Sequence, residues 1–170
     1  MREASIDLNA HPRRAKVRLR MAMPAASVIP RGALAEPLQA QTDGDVTSLW
    51  IGPDQWLLIS DRLPADALLA RCASQLGNLL HHAVDVSASL NCAHVNGPSV
   101  RALLRMGSGI TWSDQCARTR FASIPVIAHR LAEDAFDLYY DRSYRYHLER
   151  WFDHAVRDPL LTDLQCRSSS

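Results

Sequence analysis

Asp85 sits between Val84 and Val86 in an apolar run, where a lone carboxylate would cost several kcal/mol, so it must be paired or lie at a sheet edge. Its expected tie is to a backbone amide or to an arginine such as Arg120 or Arg142, a structural role in preference to catalysis. The triplet Asp141-Arg142-Ser143 has a plainer reading, with Asp141 or Ser143 capping the last helix. His147 and His154 share that helix but are too far apart for the His-Glu-x-x-His zinc arrangement, and Glu149 and Asp153 fall on its wet face as solvated charges. His81-His82 would need further ligands to hold a metal, and Ser87 and Ser89 lack the strained Gly-x-Ser-x-Gly turn of a nucleophile. Gly107-Ser108-Gly109 follows a helix, not a strand, and Lys16, the only lysine, belongs to no phosphate-binding loop. Cys72, Cys92, Cys116 and Cys166 form no Cys-x-x-Cys pair and read as free thiols of a reducing compartment. The residues thus predict no catalytic, cofactor-binding or metal-ligating set, and a purified chain that is colourless and metal-free.

The elements that position these residues begin with a leader, 1–15, expected to be mobile or loosely docked because it is polar and broken by His11-Pro12. Lys16 to Met23 alternates, with Val17, Leu19, Met21 and Met23 on a buried face and Lys16, Arg18 and Arg20 on a solvated one. Pro24 to Gly44 reads as a long connection. Val46 to Ile51 and Gln55 to Ser60 make a hairpin about Gly52-Pro53-Asp54, flanked by Trp50 and Trp56, which serve either as core or as an exposed anchor. Pro64 opens a helix whose stripe is Leu68, Leu69, Cys72, Leu76, Leu79 and Leu80, ending between Gly77 and His82. Strands follow at Ala83 to Ser87 and Leu90 to Asn96, the latter with Leu90, Cys92 and His94 on one face. Asn96-Gly97-Pro98 starts a helix that Gly107 stops, and Ile110 to Cys116 is a loop containing Trp112. Thr119 to Arg130 and Ala135 to Tyr140 form a second hairpin, and Tyr144 to Val156 the last helix, with Leu148, Trp151, Phe152 and Ala155 inward.

This order predicts an α+β fold of antiparallel sheets with covering helices and ferredoxin-like lobes. One two-lobed domain over 16–160 is expected, with a disordered tail at 161–170. At 170 residues, 47% hydrophobic and 22% charged, the chain can bury an ordinary core. A net charge of +1 gives no field for nucleic acid, and no apolar stretch is long enough for a membrane span or placed as a signal peptide, so a cytoplasmic location is expected.

Trp50-Ile51-Gly52-Pro53-Asp54-Gln55-Trp56-Leu57-Leu58, Val84-Asp85-Val86-Ser87, Gly97-Pro98, Thr119-Arg120 and Phe136-Asp137-Leu138, followed by Arg142-Ser143 and Trp151, stand in a specific order. Over most of Leu49 to Val156 this set resembles the gamma subunit of heterotetrameric sarcosine oxidase, a relative of the folate-binding glycine-cleavage T-protein fold. The resemblance implies an accessory chain without cofactor, partnered by alpha, beta and delta subunits. FAD, FMN, NAD and tetrahydrofolate would be handled by the alpha and beta subunits, and zinc by delta. It further implies that the assembled complex demethylates sarcosine to glycine, reduces oxygen to peroxide and passes the one-carbon unit to tetrahydrofolate. Trp56, Asp85, Arg120, Arg142 and Ser143 are then interface or structural residues. A stand-alone folate-binding aminomethyltransferase of the T-protein type, and a gamma-like subunit of another N-methyl amino acid dehydrogenase, stay open beside it.

Overall fold

The computed structural model describes residues 5–21, 34–109 and 113–157. Strands β1 (Ser5–Asp7), β7 (Leu90–Asn96), β10 (Ala135–Asp141), β9 (Ile124–Ala132) and β8 (Cys116–Phe121) form one antiparallel sheet in that spatial order. The second antiparallel sheet runs β3 (Ala40–Asp43), β4 (Val46–Gly52), β5 (Gln55–Ser60), β2 (Ala15–Met21) and β6 (His81–Asp85). Side chains alternate across a strand, so each sheet has two apolar faces to cover. Leu49, Leu57 and Ile59 of one sheet meet Leu90, Cys92, Ile127 and Tyr139 of the other in a central core. Helix α1 (Ala65–Leu76) closes the outer face of the second sheet with Leu68, Cys72 and Leu76. Helices α2 (Val100–Gly107) and α3 (Arg145–Ala155) close the outer face of the first with Leu103, Leu104, Leu148 and Phe152. The result is a helix, sheet, sheet, helix stack.

The two halves repeat one plan. A lead strand, β2 or β7, is followed by a three-stranded meander, β3 to β5 or β8 to β10, and then a helix, α1 or α3. In each sheet the lead strand lies beside the last strand of its meander, and a fifth strand flanks the lead strand. For the second sheet that fifth strand is β6, which follows α1; for the first it is β1, from the start of the chain. The chain must therefore cross from one sheet to the other between β1 and β2.

That crossing ties the described part of the leader, residues 5–15, into the fold. β1 pairs Ser5 with Asn96 and Asp7 with His94, Ala10 joins the central core, and Arg14 is buried. Lys16, expected on a wet face, is also buried; its ammonium donates to the carbonyls of Arg14 (3.1 Å) and Ser87 (3.4 Å) because its side of β2 faces the other sheet, while Arg18 and Arg20 are exposed.

Other departures follow from turn chemistry. Thr119 to Arg130 is two strands, β8 and β9, joined at Ala122-Ser123, both at positive φ (49° and 68°) as a type I′ turn requires, yet without the Asn or Gly that normally announces one. Residues 40–43, expected in a connection, form β3 against β4, turning through Gly44 at φ 59°. His81 and His82 belong to β6, not to the end of α1, and Leu80 is 75% exposed. Gly97 and Pro98 form the turn ahead of α2, which begins at Val100. Met23, Trp112, Cys166 and the tail at 161–170 lie outside the described residues.

Gly107 ends α2 against the fully buried Phe121 ring, which also packs edge-on to Trp151 at 4.7 Å. A Cβ at 107 would stand 2.1 Å from Phe121 Cε2. Helix propensity alone favours Ala over Gly by about 1 kcal/mol. Overpacking of a ring that cannot retreat costs about 1–3 kcal/mol, so Gly107→Ala is expected to lower the urea midpoint, and a raised midpoint would show that the ring has room.

Candidate functional site

The strand crossing and the facing sheets bring together residues that lie far apart in the chain. Arg14, just before β2, donates from Nε (2.9 Å) and Nη2 (2.8 Å) to the two oxygens of Asp61, just after β5. Its Nη1 donates to Asp137 Oδ2 on β10 (2.6 Å) and to the Tyr139 hydroxyl (2.5 Å). One guanidinium thus clamps both sheets. The forked, planar donor set of arginine suits two carboxylates at once in a way a lysine could not.

Asp137 is fully buried at the centre of a row across three strands: it stands opposite His94 on β7 and His129 on β9. His94 Nδ1 is 2.8 Å from Asp137 Oδ1, and His11 Nε2 is 3.7 Å from Oδ2. His11 holds a left-handed backbone (φ 53°) that turns the leader toward the row. Burial pushes the Asp137 carboxyl up, but the hydrogen bonds from His94 and Arg14 and the Arg14 charge outweigh it and hold the group below the ordinary carboxylate range. The hydrogen bond from Arg14 likewise lowers Asp61. Burial lowers Lys16 and His129 and raises Tyr139, and it pushes the Cys116 thiol up to about 12. His129 Nδ1 is buried without a hydrogen-bond partner. Beside the clamp a cavity of about 410 Å³ opens between the sheets, lined by Arg14, Thr47, Ser60, Asp61, Arg62 and His129 among others. A buried carboxylate that orients one imidazole and faces a second can hold a proton or ligate a cation.

The residues singled out from sequence lie elsewhere. Asp85 is exposed on β6, where it accepts from the Ser87 amide (2.8 Å) and hydroxyl (2.6 Å). Neither Arg120 nor Arg142 makes the arginine tie considered for it. Arg120, on an edge strand of the other sheet, donates to the Ser123 carbonyl of its own hairpin, and Arg142 is exposed in a single 3-10 turn beyond β10. Asp141 accepts from the Ser143 amide (2.9 Å) and hydroxyl (2.6 Å), capping that 3-10 turn, with α3 starting three residues later at Arg145. Trp56 is buried beneath α1 and donates from Nε1 to the Ala35 carbonyl (2.8 Å), opposite Trp50 on β4. Cys72, Cys92 and Cys116 are buried free thiols.

Arg14 and His129 escaped the sequence reading, while His11 entered it only as part of a chain breaker, Asp137 only within the Phe136-Asp137-Leu138 motif and His94 only as one residue of a strand face. The usable signal was Asp137 itself, a carboxylate between Phe136 and Leu138, the same pattern that drew attention to Asp85.

Residues 25–158 match the family model described as the sarcosine oxidase gamma subunit family. A sarcosine oxidase subunit gamma from Corynebacterium sp. strain U-96 is 27% identical over 124 residues, 68% of this chain; the chain spans 60% of that relative's length. Among solved structures, a chain of heterotetrameric sarcosine oxidase from Corynebacterium sp. U-96, in complex with pyrrole 2-carboxylate, superposes with a TM-score of 0.75 at 22% identity, over 90% of this chain and 83% of that one. Glycine cleavage system aminomethyltransferase T from Bartonella henselae superposes with a TM-score of 0.64 at 10% identity, over 93% of this chain but 46% of its own length.

Proposed function

Because the chain belongs to the sarcosine oxidase gamma subunit family, we propose that it is the non-catalytic gamma subunit of a heterotetrameric, flavin-dependent sarcosine oxidase. The observation that carries this reading is the match to the gamma family over 25–158, with the same fold found in a chain of a heterotetrameric oxidase. Its partners are alpha and beta subunits, which hold FAD, FMN and NAD and engage tetrahydrofolate, and a zinc-binding delta subunit, and the assembly works in the cytoplasm on sarcosine. The stand-alone aminomethyltransferase reading is not favoured, since the T-protein is matched over less than half its length.

The surface suits an accessory role. Leu80 is 75% and Tyr146 69% exposed, and among the described residues Arg120 and Arg142 meet no carboxylate and β6 is an edge strand carrying the exposed Val84. These features are the contacts we assign to partner subunits, with a stable interface burying on the order of 1,200–2,000 Å². Co-expression with alpha-, beta- and delta-like chains is expected to give one co-eluting species that forms peroxide from sarcosine, while the chain alone forms none. Turnover by the lone chain, or its separation from the others on size exclusion, would count against the proposal.

A further inference from the structure

We propose that His11, His94 and Asp137 form a binding site for a first-row divalent metal ion of the zinc class, set between the leader and the first sheet. The three side chains come from three separate elements: the crossing segment, β7 and β10. One ligand atom from each, two imidazole nitrogens and a carboxylate oxygen, lie within 4.8 Å of one another. Ligands at about 2.0–2.2 Å around a tetrahedral ion stand about 3.3–3.6 Å apart; His94 Nδ1 is 2.8 Å from Oδ1 and His11 Nε2 is 3.7 Å from Oδ2, so an ion seated on Oδ1 needs the His94 contact to open and the His11 ring to swing from Oδ2 toward Oδ1. Mixed nitrogen and oxygen donors suit zinc and its neighbours and disfavour calcium or magnesium, which take oxygen.

The surroundings orient this set as second-shell groups orient metal ligands. His11 turns Nε2 to Asp137 and its other nitrogen, Nδ1, toward Asp61 at 3.9 Å, the placement that would keep Nε2 free as a ligand. Arg14 grips Asp61 and Oδ2 of Asp137, fixing both carboxylates, and leaves Oδ1 to face His94. The Arg14 charge opposes a cation, and the two carboxylates it bridges counter it. Asp137 is fully buried, whereas the side chains of His11 and His94 are 35% and 26% exposed, so an ion has a ligand anchored in the core and a path from solvent. Where His94 Nδ1 carries its proton toward Asp137, the ion takes that proton's place and the proton leaves to water. This reading adds a site to the gamma-subunit assignment and does not depend on it, because its test uses the chain alone.

The experiment is a titration of the full chain, stripped with chelator, with zinc in competition with a coloured indicator, and with cobalt followed by its visible absorption. One equivalent is expected to bind, with a tetrahedral or five-coordinate cobalt spectrum. His94→Ala, and His11→Asn, chosen because Asn tolerates the left-handed backbone, are each expected to weaken binding about tenfold or more. His81→Ala/His82→Ala, which removes the half-buried His81 and the exposed His82 on β6, away from the cluster, is expected to leave affinity unchanged. Absence of binding, binding unaffected by His11→Asn, or binding lost with the His81/His82 pair would each overturn the site. His11→Asn decides the matter if His94→Ala fails to fold.

Discussion

Replacing Arg14 with Ala is expected to lower the unfolding free energy by about 3–5 kcal/mol, read from urea denaturation at neutral pH. The cost arises less from the lost attraction than from what stays behind: Asp137, fully buried, would keep its charge with only the imidazoles of His94, His11 and His129 near it among the described residues. The Asp61 half of the clamp adds little, because that side chain is 57% exposed and screened by water. A double change, Arg14→Met with Asp137→Leu, removes both charges and is expected to recover much of the loss. A loss below about 1 kcal/mol for Arg14→Ala would mean that water reaches Asp137.

The same groups set the acid limit. His129 is held below its usual value by burial, so the unfolded chain takes up a proton first and stability begins to fall as pH drops below about 6.5. Asp137 and Asp61 have folded values below the ordinary one, so their contribution is complete above about pH 3.9 and is lost as pH falls from there through the folded values. Two-stage acid loss in thermal melts is expected, and Arg14→Ala should shrink the lower stage. A single acid transition unchanged by Arg14→Ala would separate the clamp from acid stability.

Trp56→Ala is expected to cost about 3–5 kcal/mol, the usual range for removing a large aromatic side chain from a core. The ring is 6% exposed, packs with Val17, Leu58 and Leu68 beneath α1, and satisfies the Ala35 carbonyl, so truncation leaves both a cavity and a buried acceptor without its donor. Trp56→Phe keeps most of the volume and should cost clearly less. An unchanged melting temperature for Trp56→Ala, with partner binding lost, would instead make the residue a surface anchor.

The local chemistry of the chain determined most of the elements. The stripe Leu68, Cys72 and Leu76 specifies α1, Leu148, Phe152 and Ala155 specify α3, and Gly52-Pro53-Asp54 marks the turn between β4 and β5, since helical period and turn geometry act over a few residues. The order of the motifs at 50–58, 84–87, 97–98 and 136–138 along the chain likewise carried the family. The split of residues 119–130 was hidden because Ala122 and Ser123 accept positive φ without a turn residue to signal it. Tertiary structure alone decided the polar cluster. Arg14, Asp61, His94 and Asp137 span 123 positions from first to last, and no spacing rule connects them. They meet because β1 completes the sheet of the second half while β2 leads the sheet of the first, forcing the leader across the space between two facing sheets. Which faces two sheets present to each other is settled by burial of whole surfaces, and a window of sequence contains only one side of that contact.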